Sequence, residues 1–116
     1  MGRKSSDRVI PENAHRLVAR FRNSGTVDRQ VSVFAEYSAG QASLSLRLRD
    51  EREARKFCRD AYNVIDAALS ILIDEGLIWE TAVLADIYDQ VDWQMGVMFS
   101  HFGLSDKDIR WVQLGK

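Results

Sequence analysis

The chain has 116 residues, 46% of them hydrophobic, with 16 Lys and Arg against 17 Asp and Glu. This length fits a single domain spanning residues 1–116. The near-zero net charge means that bulk electrostatics demand neither nucleic acid nor an anionic membrane as a partner. The lone cysteine, Cys58, excludes an internal disulfide, and no apolar run approaches the roughly 20 residues that span a bilayer. We therefore predict a cytoplasmic protein without membrane contact.

The charges are unevenly distributed along the chain. Residues 1–59 carry 13 basic and 7 acidic side chains, whereas residues 60–116 carry 3 basic and 10 acidic ones. Such asymmetry supports head-to-tail self-association, charge-steered binding of a partner, or complementary packing of the two halves.

The first predicted element is a short helix that follows a flexible arm at residues 1–10. Pro11 suits the first turn of a helix, and the sequence from 23 to 25, Asn-Ser-Gly, favours its end. Between them the apolar residues recur at helical spacing and predict one buried stripe: Ala14, Leu17, Val18 and Phe21.

From Gln30 to Arg49 the apolar residues alternate with polar ones. This period of two predicts two antiparallel strands joined by a four-residue loop at 38–41. In that register the apolar sets of both strands fall on one face of the hairpin, opposite Ser32, Phe34 and Glu36: Val31, Val33, Ala35, Tyr37, Ala42, Leu44, Leu46 and Leu48. The sequence therefore predicts an α+β fold.

Two long helices are predicted after the hairpin, as an antiparallel pair. The first begins near Asp50 and ends before Gly76, and the second runs from about Glu80 to Phe102. An unbroken seam of apolar residues at spacings of three and four marks the first of them: Ala54, Cys58, Ala61, Ile65, Ala68 and Leu72. Ser105 and Asp108 have the spacing of a capping box and predict a short C-terminal helix or turn.

The sequence offers no arrangement typical of an enzyme. Cys58 lies on the apolar seam, where a structural thiol is expected, and His15 and His101 are too scattered to complete a zinc site with it. A phosphate-binding glycine loop and a nucleophile elbow are both absent from the sequence. We therefore expect a non-enzymatic protein with no catalytic residues, no cofactor and no metal.

Two nucleic-acid-related alternatives remain open. A basic face on the N-terminal half would suit a nucleic-acid-associated protein through Arg16, Arg20, Arg22 and Arg29, although a solvated basic face is the commoner explanation. The acidic residues Asp86, Asp89 and Asp92 lie three apart on one side of the last long helix, where they would repel phosphates. They would instead suit an acidic surface that inhibits a DNA-binding protein.

The most distinctive segment is Val64–Ile73, VIDAALSILI, in which eight of ten residues are apolar. Either the other elements cover all of it, or its C-terminal end stays partly exposed as an interface for another protein or a second copy. The second interpretation predicts a homodimeric, protein-binding module without direct nucleic-acid contact. Its predicted contact residues are Leu69, Ile73, Leu77, Ile78 and Trp79.

The predicted order of helix, hairpin and two long helices, together with the apolar segment AYNVIDAALSILIDEGLIWE, resembles the QslA-type quorum-sensing anti-activators of bacteria. This resemblance implies a dimeric protein that binds a LuxR-type transcription regulator at its ligand-binding domain. It also implies that binding blocks dimerisation of the regulator and hence DNA binding. The resemblance transfers no individual site residue, because it involves no signature motif.

Overall fold

The computed structural model describes residues 10–103, without the side chain of Phe99. These residues form four helices, namely α1 (Glu12–Arg22), α2 (Val27–Ser45), α3 (Glu51–Asp74) and α4 (Thr81–Phe102). Residues 10–103 contain no strand, so the predicted α+β class is wrong and the fold is predominantly helical. The predicted arm, apart from Ile10, and the predicted element after Ser105 lie outside the described residues.

Helix α1 forms where the apolar stripe predicts it. The carbonyl of Pro11 accepts the amide of Ala14 at 3.0 Å, so the proline stands just before the helix rather than within it. All four stripe residues are buried: Ala14, Leu17, Val18 and Phe21. The Phe21 ring meets the Phe34 ring of α2 edge-on, with the ring centroids 6.2 Å apart.

Helix α2 replaces the predicted hairpin. The side chain of Thr26 accepts the amide of Arg29 at 3.3 Å and caps the helix, which then continues through the predicted loop at 38–41. The buried residues follow a helical rather than an alternating pattern: Val33, Phe34, Ser38, Ala42 and Ser45. Leu44 and Leu46, which the hairpin would bury, are 48% and 40% exposed.

Two buried serines explain why the alternating pattern is misleading. The Ser38 hydroxyl donates to the carbonyl of Phe34 at 2.9 Å, and the Ser45 hydroxyl donates to that of Ala42 at 2.6 Å. Because each hydroxyl is satisfied within its own helix, both serines tolerate burial as small residues. A pattern that counts serine as polar and outward-facing therefore misses the helical period of α2.

Helix α3 forms as predicted, and its ends show why. The Asp50 carboxylate accepts the amide of Glu53 at 2.9 Å and caps the N-terminus. At the C-terminus Gly76 adopts a φ of 74°, and the Leu77 amide donates to the Leu72 carbonyl at 2.8 Å. This left-handed glycine ending satisfies the last carbonyls of the helix. Every residue of the predicted seam, from Ala54 to Leu72, is buried.

The helices are paired differently from the prediction. Helix α4 makes its most extensive contact with α2 and only a small contact with α3, while α3 packs mainly against α1. The predicted antiparallel pair of α3 and α4 is therefore not the main packing unit. One hydrophobic core joins all four helices. Within the part of the chain that the structure describes, no helix is both long and apolar enough to cross a membrane.

Candidate protein-interaction surface

The five predicted contact residues do not share one exposed surface. Leu69 is fully buried in α3, Ile78 is 4% exposed, and Ile73 is partly buried against the core. Only Leu77 and Trp79 are exposed, at 43% and 81%, in the segment that leads from α3 into α4. Most of the apolar excess of α3 is therefore covered by the rest of the chain, and the exposed part is limited to its C-terminal edge.

A second exposed apolar surface lies on α4 and was missed by the predicted set. Trp93 and Val97 are 77% and 55% exposed, and residues four apart share one face of a helix. We call these two residues the outer face of α4. The buried residues of the same helix recur at spacings of four and three: Ile87, Val91, Met95 and Met98. The sequence indicates this exposure, because neither Trp93 nor Val97 belongs to the buried series.

A groove of about 440 Å³ lies between α2 and α4. Val27, Val31 and Ala35 line it from α2, over two turns of that helix, and Asp86 and Gln90 line it from α4. Asp28 and Ser32 complete the lining. Asp86 and Trp93 are seven residues apart, so the groove and the outer face of α4 lie on neighbouring parts of the same side of the helix.

The basic face predicted on the N-terminal half is largely neutralised by ion pairs. Arg20 donates to Glu36 at 2.6 Å, and Arg16 lies 3.7 Å from Glu12. Arg22 pairs with Glu75 at the C-terminal end of α3. Three of the four arginines proposed for nucleic-acid contact therefore have a carboxylate partner inside the chain.

A different basic stripe is free of such partners. Arg52, Lys56 and Arg59 are exposed on α3 at spacings of four and three, and none forms an ion pair with another described residue. We call these three residues the α3 basic stripe.

Exposed acidic residues, in contrast, lie at or near the groove. Asp28 and Asp86 line it, and Asp89 stands one turn beyond Asp86 on α4. Across residues 10–103 these three carboxylates have no ion-pair partner either. The described surface thus carries an unneutralised acidic region and an unneutralised basic stripe on different helices.

The buried polar groups near α3 do not create a reactive thiol. Burial, followed by the nearby Asp92 carboxylate, raises the pKa of Cys58 from 9.0 to about 12. Tyr62 donates a hydrogen bond of 3.0 Å to Asp92, which fixes this carboxylate between α3 and α4. Cys58 therefore remains a protonated thiol at neutral pH, as a packing residue does. In the described ranges, no three His, Cys, Asp or Glu side chains gather as a metal site requires.

Residues 10–103 thus form four helices, with exposed Trp93 on the same side of α4 as an acidic groove and exposed Trp79 just before that helix. Comparison of the chain with protein-family models, curated proteins and solved structures found no match. The QslA-type resemblance and the LuxR-type partner that it implies stay predictions.

Proposed function

We propose that this protein is a non-enzymatic regulator that acts by binding another protein. The observation that supports this most is Trp93, a large apolar side chain 77% exposed on a helix whose other side is already buried in the core. Trp79, at 81% exposed, adds a second anchor just before the same helix. Tryptophan is among the residues most enriched at the energetic centres of protein interfaces.

The surface area of Trp79 and Trp93 indicates how much more surface a partner has to cover. Burying two tryptophans removes roughly 400 Å² from water and yields on the order of 10 kcal/mol at ~25 cal/mol per Å². Association itself costs roughly 4–15 kcal/mol, so the two tryptophans alone do not secure a tight complex. The partner therefore also covers the neighbouring apolar residues, Leu77 and Val97.

In its specific form the proposal is a cytoplasmic anti-activator that binds a LuxR-type regulator and blocks its dimerisation and DNA binding. Support for this form is the apolar segment at 61–80. The predicted hairpin, which was the other basis for the resemblance, is replaced by α2. The alternative of nucleic-acid binding by the N-terminal half has less support, because Arg16, Arg20 and Arg22 are each paired with a carboxylate.

The general proposal is tested by photo-crosslinking in the native cell. A photoreactive amino acid at position 93 or 97 is expected to give a discrete adduct with another protein. The same residue at position 44 serves as the control, because Leu44 is also an exposed apolar residue, 48% accessible, but lies on α2. Equal labelling at all three positions, or none at position 93, would contradict the proposal.

The specific form is tested with the purified ligand-binding domain of a LuxR-type regulator from the same cell. Trp93→Ala is expected to weaken binding about 30-fold, which corresponds to the ~2 kcal/mol that defines an interface hot spot. Leu44→Ala should leave the affinity within about twofold of the unsubstituted protein. A regulator that does not bind the unsubstituted protein would exclude the LuxR-type partner, while a crosslink from position 93 would still support the general proposal.

A further inference from the structure

We propose that the groove between α2 and α4 binds the α3 basic stripe of a second copy of this chain. The inference rests on and deepens the proposed function by assigning a self-association surface that adjoins the outer face of α4. It starts from the two sets of exposed charges that find no ion-pair partner among residues 10–103. One set is acidic and borders a concave surface, and the other is basic and projects from a helix.

The two surfaces match in length. From Val27 to Ala35 the α2 side of the groove covers eight residue steps, or about 12 Å of helix at ~1.5 Å per residue. From Arg52 to Arg59 the stripe covers seven steps, or about 10 Å. The stripe therefore lies within the length of the groove without requiring either helix to bend.

The surfaces also match in charge. The stripe offers three cations; the carboxylates Asp28 and Asp86 line the groove, and Asp89 stands one turn beyond Asp86 on α4. Asn63 continues the line of the stripe and is exposed and uncharged, while the exposed carboxylates Glu53 and Asp60 flank Lys56 on one side. The line through the three cations therefore carries no carboxylate, although two stand beside it.

The lining of the groove suits long cationic side chains in particular. Lysine and arginine place their methylene stems on apolar surface and keep their charged ends at its polar border. Val27, Val31 and Ala35 provide the apolar part of the lining, which is the smaller part, and Asp28 and Asp86 belong to its larger polar part on opposite helices. A volume of about 440 Å³ accommodates more than one of these side chains.

A second copy explains these observations better than phosphate or a membrane surface does. The acidic groove repels anions, and its cationic complement is present on every copy of the chain. Because the contact consists of solvent-accessible ion pairs, it strengthens at low ionic strength and weakens as salt screens the charges.

The test is analytical ultracentrifugation of three charge variants at low and high salt. Asp86→Lys reverses a charge in the groove, and Lys56→Asp reverses a charge in the stripe. Both positions are exposed, so both variants should fold, and circular dichroism checks this. For each of these two variants the association constant is expected to fall by roughly tenfold or more, because like charges then face each other. Asp74→Lys has the same charge change as Asp86→Lys at an exposed position outside both surfaces and should associate as the unsubstituted protein does.

The decisive measurement is an equal mixture of the two single variants. The intact stripe of the Asp86→Lys protein can enter the intact groove of the Lys56→Asp protein, so the mixture should associate although neither component does alone. A mixture that stays monomeric would overturn the inference, as would an unsubstituted protein that is monomeric at low salt. Association that is insensitive to salt and to both reversals would also overturn it.

Failure of this inference can be distinguished from failure of the proposed function. Lys56 lies on α3 and is not part of the outer face of α4, so Lys56→Asp should weaken self-association without preventing crosslinking from position 93. Loss of the crosslink with normal self-association would instead contradict the proposed function alone.

Discussion

Substituting alanine for glycine at two positions tests the helical structure of α2 directly. Gly40 lies inside α2 and is exposed, whereas Gly76 follows α3 with a φ of 74°. A Cβ atom added at either position would meet no atom within 4 Å. Any difference between the two substitutions therefore reports backbone conformation rather than packing.

The two substitutions should change stability in opposite directions. Alanine is favoured over glycine inside a helix by about 0.8–1 kcal/mol, so Gly40→Ala should raise the free energy of unfolding by about that amount. The left-handed conformation costs a residue with a side chain about 1–2 kcal/mol, so Gly76→Ala should lower it correspondingly. For a chain of this size, the midpoint of thermal unfolding moves by about 4 °C per kcal/mol.

Urea unfolding followed by circular dichroism measures both free energies under identical conditions. The slope of the free energy against urea should remain unchanged, since neither substitution alters the surface that unfolding exposes. In a hairpin Gly40 would lie in the loop at 38–41, where helix propensity confers no advantage. Destabilisation by Gly40→Ala would therefore refute the continuous helix and restore the hairpin as the better description.

Two further predictions concern packing and pH. Met95→Ala should cost about 2–5 kcal/mol of stability in urea unfolding because Met95 is fully buried, whereas Trp93→Ala should change stability by less than about 0.5 kcal/mol; similar losses at both positions would contradict the assigned inner and outer faces of α4. Because burial and Asp92 raise the pKa of Cys58 from 9.0 to about 12, the unfolded chain releases the thiol proton at lower pH than the folded chain does. The free energy of unfolding should therefore fall as pH rises above 9.0. The free energy of unfolding of Cys58→Ala should fall less steeply over that range. Parallel curves of free energy against pH for the two proteins would show that the thiol titrates alike in the folded and unfolded states.

The sequence predicts α1, α3 and α4 well because their apolar residues recur at the helical period, and at α3 the Asp50 cap and Gly76 also mark the ends. It fails at α2, where Ser38 and Ser45 are buried while Leu44 is exposed, so polarity does not indicate the buried face. Which helix packs on which is equally hidden, because an amphipathic pattern identifies a buried face but not its neighbour.

Tertiary packing also decides how much of the predicted contact surface is exposed, and only Leu77 and Trp79 of its five residues are. The apolar excess around Leu69 is real, but other parts of the chain cover it, and only tertiary packing determines that. Trp93 lies outside the predicted set, and its exposure follows from the pairing of α4 with α2. The sequence therefore located the apolar excess without showing which residues would remain in contact with solvent.

The pairing of α2 with α4 has a consequence for synthesis of the chain. Helix α2 ends at Ser45, but α4, which makes the largest contact with it, is completed only at Phe102. At roughly 5–20 residues per second, a ribosome takes roughly 3–11 s to add the residues between those two points. Throughout that interval the nascent chain lacks the main cover for α2. A product truncated before Thr81 would lack α4 and leave that surface of α2 permanently uncovered.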